Sequence, residues 1–254
     1  MRLKVLGAYA SADATHNLTG YLIDDRLAVD AGTLGSRLTL LQQAKIEIVY
    51  VSHVHADHIR DLPNLIQNRY HSDAPALEIV ASKEVMEMIH NDIFNGKVWP
   101  DFEKFPSPLT GKPAVRYRVL QNGKRTTVAG FALTAVPVEH TIPTAGVIIE
   151  SEGQAIVFTG DTGPTGAIWR RVNKTASVIA MVTEASLPND FAEEAKENGH
   201  LTPEMFGHEL AKVEVDAPLY ASHRKLPYER KIESEIRNIR DRRARILVEK
   251  QYTF

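Results

Sequence analysis

Short apolar runs separated by polar turns recur along the whole chain, and most have the length of strands rather than helices. The first fifth carries strand-like runs at residues 3–6, 20–23, 27–29 and 46–51, with a helix-like segment at 34–43 before the last. Helical patterning follows at 63–70, where Asp61 is placed to cap and Pro63 sits in the first turn. A run at 79–81 leads into a helix at 83–91. The stretch 95–113 holds four prolines, two glycines and Trp99, which predicts a long ordered loop. The second half repeats the rhythm, with strands at 115–120, 126–128, 131–138, 145–150 and 155–158. A helix at 165–172, a strand at 178–182, a helix at 202–212 and a strand at 219–221 follow, then a charged helix at 227–240 and a last short strand. Strands first and helices after, twice over, predict two packed β-sheets with helices outside, in one domain spanning 1–254.

Composition narrows the chemistry more than the fold. An apolar content of 43% and a charged content of 24% suit a globular protein with a sizeable core. The formal net charge of −2 gives no overall pull toward nucleic acid or acidic membranes, so a long polyanion is a poor substrate. With no cysteine, any metal must be held by His, Asp or Glu. The N-terminus reads as a strand rather than a signal peptide, and no apolar run reaches membrane-spanning length. The expected location is the cytoplasm.

His53 and His55 follow the apolar run Ile48-Val49-Tyr50-Val51. Two residues apart on an extended segment, they point the same way and suit one metal. Asp57 and His58 come next, where a loop turns toward a helix, and suit a second. Four ligand-type side chains within six residues is a dense signal for metal binding.

The segment Ser52-His53-Val54-His55-Ala56-Asp57-His58 resembles the His-x-His-x-Asp-His signature of the metallo-β-lactamase superfamily. Later segments extend the resemblance over nearly the whole chain: Val136-Pro137-Val138-Glu139-His140, Phe158-Thr159-Gly160-Asp161-Thr162-Gly163 and Ala221-Ser222-His223. It implies an α/β fold, a four-layer αβ/βα sandwich of two mixed sheets. It also implies two divalent metal ions, zinc with manganese or iron compatible. His53, His55 and His140 would hold one ion and Asp57, His58 and His223 the other, with Asp161 and a hydroxide bridging them.

Two more segments bear on the reaction. Val182-Thr183-Glu184-Ala185-Ser186 and Asn198-Gly199-His200-Leu201-Thr202-Pro203 resemble elements shared by transfer-RNA 3′-processing ribonucleases and class II cyclic-nucleotide phosphodiesterases. A histidine oriented by a carboxylate there would protonate a departing oxygen, so Glu184 and His200 join Asp57 as the expected catalytic residues. Phe94-Asn95-Gly96-Lys97-Val98-Trp99-Pro100-Asp101-Phe102 resembles a loop of the phosphodiesterases, and no arm resembling the ribonuclease one is found. Phe94, Asn95 and Trp99 are the expected base-pocket residues, unless the loop only anchors itself on the core. Arg224, with Lys225 beside it, is the expected phosphate contact, although Leu226 interrupts the His-x-Lys-Pro tail of that family.

The expected substrate is a 3′,5′-cyclic nucleotide, with a homodimer as the assembly. The alternatives are a phosphodiesterase acting on RNA ends or a cyclic dinucleotide, a lactonase or thioesterase, and a metal-stabilised binding protein.

Overall fold

The computed structural model describes residues 1–254. The first six strands, β1 (Arg2–Gly7), β2 (Gly20–Ile23), β3 (Leu27–Val29), β4 (Ile48–Tyr50), β5 (Leu77–Ser82) and β6 (Val115–Leu120), stand side by side in chain order. A second sheet runs in reverse from β13 to β7: β7 (Thr126–Val128), β8 (Phe131–Pro137), β9 (Ala145–Ser151), β10 (Gln154–Phe158), β11 (Val178–Glu184), β12 (Leu219–Ser222) and β13 (Ala244–Ile246). The last strand, β14 (Gln251–Thr253), crosses back to pair with β1, giving each sheet seven strands. The one closing strand expected from the sequence is therefore two, one on each sheet.

Strands β3 to β6 are mutually parallel, and so are β10 to β13. Such strands are covered on both faces, so β3 and β4 read as unbroken apolar runs. Between the sheets lies a core that includes Val5, Tyr21, Tyr50, Leu133, Val147, Ile156 and Val182. Helices α1 (Leu34–Arg37), α2 (Leu40–Ala44), α3 (Ala56–Ile59), α4 (Leu62–Tyr70) and α5 (Lys83–Met88) belong to the first half of the chain. Leu34, Leu65, Ile66 and Val85 from this group cover the outer face of the first sheet. Helices α6 (Ala167–Val172), α7 (Ala192–Glu197), α8 (Pro203–Leu210) and α9 (Glu229–Arg237) follow, and Trp169, Phe206 and Ile232 cover the second sheet. The result is the four-layer αβ/βα sandwich. No helix is long and apolar enough to cross a membrane.

Three expected helices are shorter than their apolar periodicity suggests. The segment 34–43 breaks at Leu38, whose backbone is extended (φ −119°, ψ 137°), because Thr39 starts a new helix with a capping box to Gln42. The helix at 83–91 ends at Met88 and widens into a π turn at Ile89–Ile93. At 227–240, a 3₁₀ turn over Leu226–Tyr228 precedes α9.

Candidate metal centre

Six chain segments leaving the carboxyl ends of β3, β4, β8, β10, β11 and β12 meet at one edge of the sandwich. They carry Asp30, His53, His140, Asp161, Glu184 and His223 respectively. This placement lets backbone pairing end just where polar side chains are needed, so rigid strands aim each group.

The ligand-type atoms fall into two groups that share Asp161. His53, His55, His140 and Asp161 form one, and Asp57, His58, Asp161 and His223 the other, with the atoms of each group within 4.8 Å of one another. In the first, His140 Nε2 lies 3.2 Å from His55 Nδ1, and His53 Nε2 lies 3.8 Å from Asp161 Oδ2. In the second, Asp161 Oδ1 is 3.2 Å from His58 Nε2, while its Oδ2 is 3.0 Å from His223 Nε2. Asp57 Oδ2 stands 3.5 Å from His223 Nε2.

Each of four histidines is aimed by a hydrogen bond at its other ring nitrogen. His58 Nδ1 meets Asp30 Oδ2 at 2.8 Å, and His223 Nδ1 meets Thr19 Oγ1 at 2.9 Å. His140 Nδ1 donates to the Gly199 carbonyl at 2.9 Å, and His53 Nδ1 lies 3.0 Å from Ser52 Oγ. Gly199 is required for this approach. It has φ +63°, and a Cβ there would stand 2.9 Å from His140 Cα. Asp30 and His223 also adopt left-handed backbone (φ +57° and +56°), a strain that non-glycine residues keep where the surrounding structure holds them.

The donor set fits divalent metal ions. His53 Nε2, His58 Nε2 and Asp161 Oδ1 are buried without a hydrogen-bond partner, the last two 3.2 Å apart, a costly arrangement that a cation bound among them would relieve. Burial pushes His53, His55 and His140 below their ordinary proton affinity, which keeps them neutral and available as ligands. His58 behaves oppositely. Burial disfavours its charge, but Asp161 and Asp30 outweigh that and raise its pKa well above the usual value. For Asp161, burial works against ionisation and is overcome by His223 and His58, so it stays ionised far into acid. A metal ion entering the second group would displace the His58 proton.

A family model described as the beta-lactamase superfamily domain matches residues 25–223. The chain belongs to that superfamily. A probable 3′,5′-cyclic-nucleotide phosphodiesterase of Yersinia pestis is 28% identical over 183 residues, 66% of this chain and 51% of that protein. A ribonuclease Z of Ignicoccus hospitalis is 24% identical over 208 residues, 63% of this chain and 65% of that one. The chain thus spans about half to two thirds of the length of these relatives. The crystal structure of unliganded yeast PDE1 superposes with a TM-score of 0.79 over 98% of both chains at 15% identity, a likeness of fold.

Within this superfamily scaffold, Glu184 and His200 sit at the rim of the shared metal site. Asp161, Glu184 and His200 have ligand atoms within 4.8 Å of one another. The Glu184 carboxylate is almost fully buried and accepts four hydrogen bonds. Oε1 takes Thr162 N at 2.8 Å and His200 Nδ1 at 2.7 Å, while Oε2 takes Ser186 Oγ at 2.5 Å and Leu201 N at 3.1 Å. His200 itself is fixed at the end of a turn, just before Thr202 caps α8 through Met205 N. Burial alone would lower the His200 pKa, but Glu184 overrides it and raises it to about 9.

The structure does not bring the expected substrate residues to this edge. Phe94 is buried in the core under the first sheet, so its ring has no free face for a base. The Asn95 side chain closes its own turn, donating to Asn91 O and accepting from Lys97 N and Val98 N. Trp99 packs half-buried on the same core. This segment anchors the loop.

Arg224 is likewise corrected. The left-handed turn at His223 sends it into the protein, wholly buried, where its guanidinium stacks on Tyr9 at 4.7 Å and donates to Ala221 O and Leu247 O. The neighbouring Lys225 is part-exposed, and its charge acts on His200. Sequence reasoning missed Asp30 and Thr19. The signal for Asp30 was a lone carboxylate following the wholly buried strand β3.

Proposed function

We propose that this chain is a metal-dependent phosphodiesterase that hydrolyses 3′,5′-cyclic nucleotides to 5′-monophosphates. The observation that carries the reading is the Glu184–His200 pair. A carboxylate locked by four hydrogen bonds gives the imidazole one tautomer when neutral and a stable proton when charged, and Nε2 carries no hydrogen bond in a ring whose centroid lies 5.1 Å from that of His140. A thioester, which expels a weakly basic thiolate, needs no such group beside the metals.

Two divalent ions, held by His53, His55 and His140 and by Asp57, His58 and His223 across Asp161, would activate water and neutralise charge on a phosphate. The protein's own groups supply the rest. His200 Nε2 gives its proton to O3′ as the bond from phosphorus to O3′ breaks and a water oxygen adds to phosphorus. Glu184 keeps His200 aligned and balances its charge beforehand. Lys225, on the same side, attracts the anionic diester.

The match to a relative named as a cyclic-nucleotide phosphodiesterase supports this substrate class, and the formal net charge of −2 argues against a long polyanion. Relatives named ribonuclease Z support a second reading, cleavage at RNA ends. A hydrolysis panel with metal-loaded protein separates them: cyclic AMP, cyclic GMP, a cyclic dinucleotide, precursor transfer RNA and a lactone. The reading requires turnover of a cyclic mononucleotide. Turnover of precursor transfer RNA alone would replace it with the second, and turnover of the lactone alone would overturn both.

A further inference from the structure

A cleft of about 480 Å³ shares His140 with the first ligand group, and no expected substrate residue lines it. That volume lies in the range of roughly 300–1,000 Å³ common for small-molecule pockets. His140 lines it together with the segment that follows, Thr141–Ala145. Ser82, Glu84, Asn122, Thr141 and Thr144 supply its polar lining.

The charge of this cleft is unusual for a protein proposed to bind a phosphate ester. It contains no lysine or arginine, and its one carboxylate, Glu84, repels anions. Glu84 makes no ion pair, since neighbouring Lys83 reaches Glu87 instead, at 3.7 Å. The phosphate therefore belongs at the metals, on the side where Lys225 and His200 stand, and the cleft beyond His140 receives an uncharged part of the substrate. In a nucleotide, that part is the base.

We infer that the cleft holds a guanine base, with Glu84 accepting from its N1–H and N2–H₂ groups and Asn122 donating to its O6. The assignment rests on the phosphodiesterase reading above and gives it a base preference. A carboxylate has two acceptor oxygens and no donor, which matches the paired donors of guanine. Adenine offers one donor, N6–H₂, beside an N1 lone pair that a carboxylate repels. Glu84 and Asn122 come from the start of α5 and from the turn between β6 and β7, so two separate elements contribute polar groups to the same cleft. Both side chains are exposed and free of hydrogen-bond partners within the protein, so binding a base breaks no existing contact.

The test is calorimetric binding of 5′-GMP and 5′-AMP to metal-loaded protein, wild type and Glu84→Gln, with cyclic GMP and cyclic AMP hydrolysis measured in parallel. Wild type should bind 5′-GMP more tightly than 5′-AMP. Glu84→Gln should cut that ratio about 10-fold, the worth of one charged hydrogen bond in a part-exposed site. Asn122→Ala should cut it less, and thermal melts check that both variants fold. Equal binding of the two nucleotides by wild type, or a ratio untouched by Glu84→Gln, overturns the base assignment while cyclic-nucleotide turnover would still support the parent reading. A guanine preference that depends on Glu84, in a protein that hydrolyses neither cyclic nucleotide, would leave the cleft assigned and remove the proposed reaction.

Discussion

Glu184 Oε1 stands 2.7 Å from His200 Nδ1, and the same oxygen accepts the Thr162 backbone N–H. A proton donor is thereby tied to the strand end that carries Glu184 and to the loop after Asp161. Replacing His200 by Ala removes the donor without touching a ligand-type atom of the two groups. Turnover of a natural diester should fall about 10²- to 10⁴-fold, the usual contribution of a positioned acid, with metal content unchanged. Glu184→Gln should lose part of the same factor. An unchanged rate for His200→Ala would reduce that residue to a helix-flanking role.

The pair also predicts a titration. In metal-free protein the His200 pKa lies at about 9 against an ordinary 6.5, with burial lowering it and Glu184 more than offsetting that. Because the folded value is the higher one, the pair's stabilisation is complete below about pH 6.5 and is lost as pH rises through 9. Proton NMR of the imidazole in chelator should show this midpoint. Glu184→Gln should bring it down to the ordinary range or lower. A wild-type midpoint near 6.5 would contradict the assignment.

Asp30 accepts three hydrogen bonds of 2.8 Å, from Ser52 N, Ser52 Oγ and His58 Nδ1. It therefore joins the strand that carries His53 to the ring of His58. Asp30→Asn should weaken metal affinity about 10- to 100-fold, as loss of a ligand's supporting carboxylate does elsewhere. Competition against a chromophoric chelator measures this. An affinity equal to wild type would show that His58 is aimed by packing alone.

Arg224 and Lys225 should separate cleanly. Arg224→Met leaves the Leu247 carbonyl without its side-chain donor and the Ala221 carbonyl with only the Leu247 backbone N–H, and should cost about 2–4 kcal/mol of stability in denaturant unfolding. Lys225→Ala should leave stability within about 0.5 kcal/mol and raise KM several-fold. The reverse pattern would mean that Arg224 reaches the substrate in solution.

The ligand-type residues were legible in the sequence because each follows a short buried strand, and four of them crowd into His53–His58. Glu184 was legible for the same reason, ending β11, and His200 for a different one, preceding a Thr-Pro helix start. Side-chain direction was not legible. Whether Arg224 points to the site or to Tyr9 depends on one left-handed φ at His223, which no pattern of apolar residues encodes. Phe94 looked like a stacking surface, yet its ring is as apolar as the core it fills. Glu84 and Asn122 gave no local signal, because their meaning comes from a cleft assembled by distant segments.

The most direct test of the account is hydrolysis of 3′,5′-cyclic nucleotides by metal-loaded protein, followed by phosphorus NMR of the product. The account predicts a 5′-monophosphate, formed only with divalent metal present and at least about 10²-fold more slowly by His200→Ala. Formation of a 3′-monophosphate would contradict it, as would no turnover of any cyclic mononucleotide by fully metallated protein.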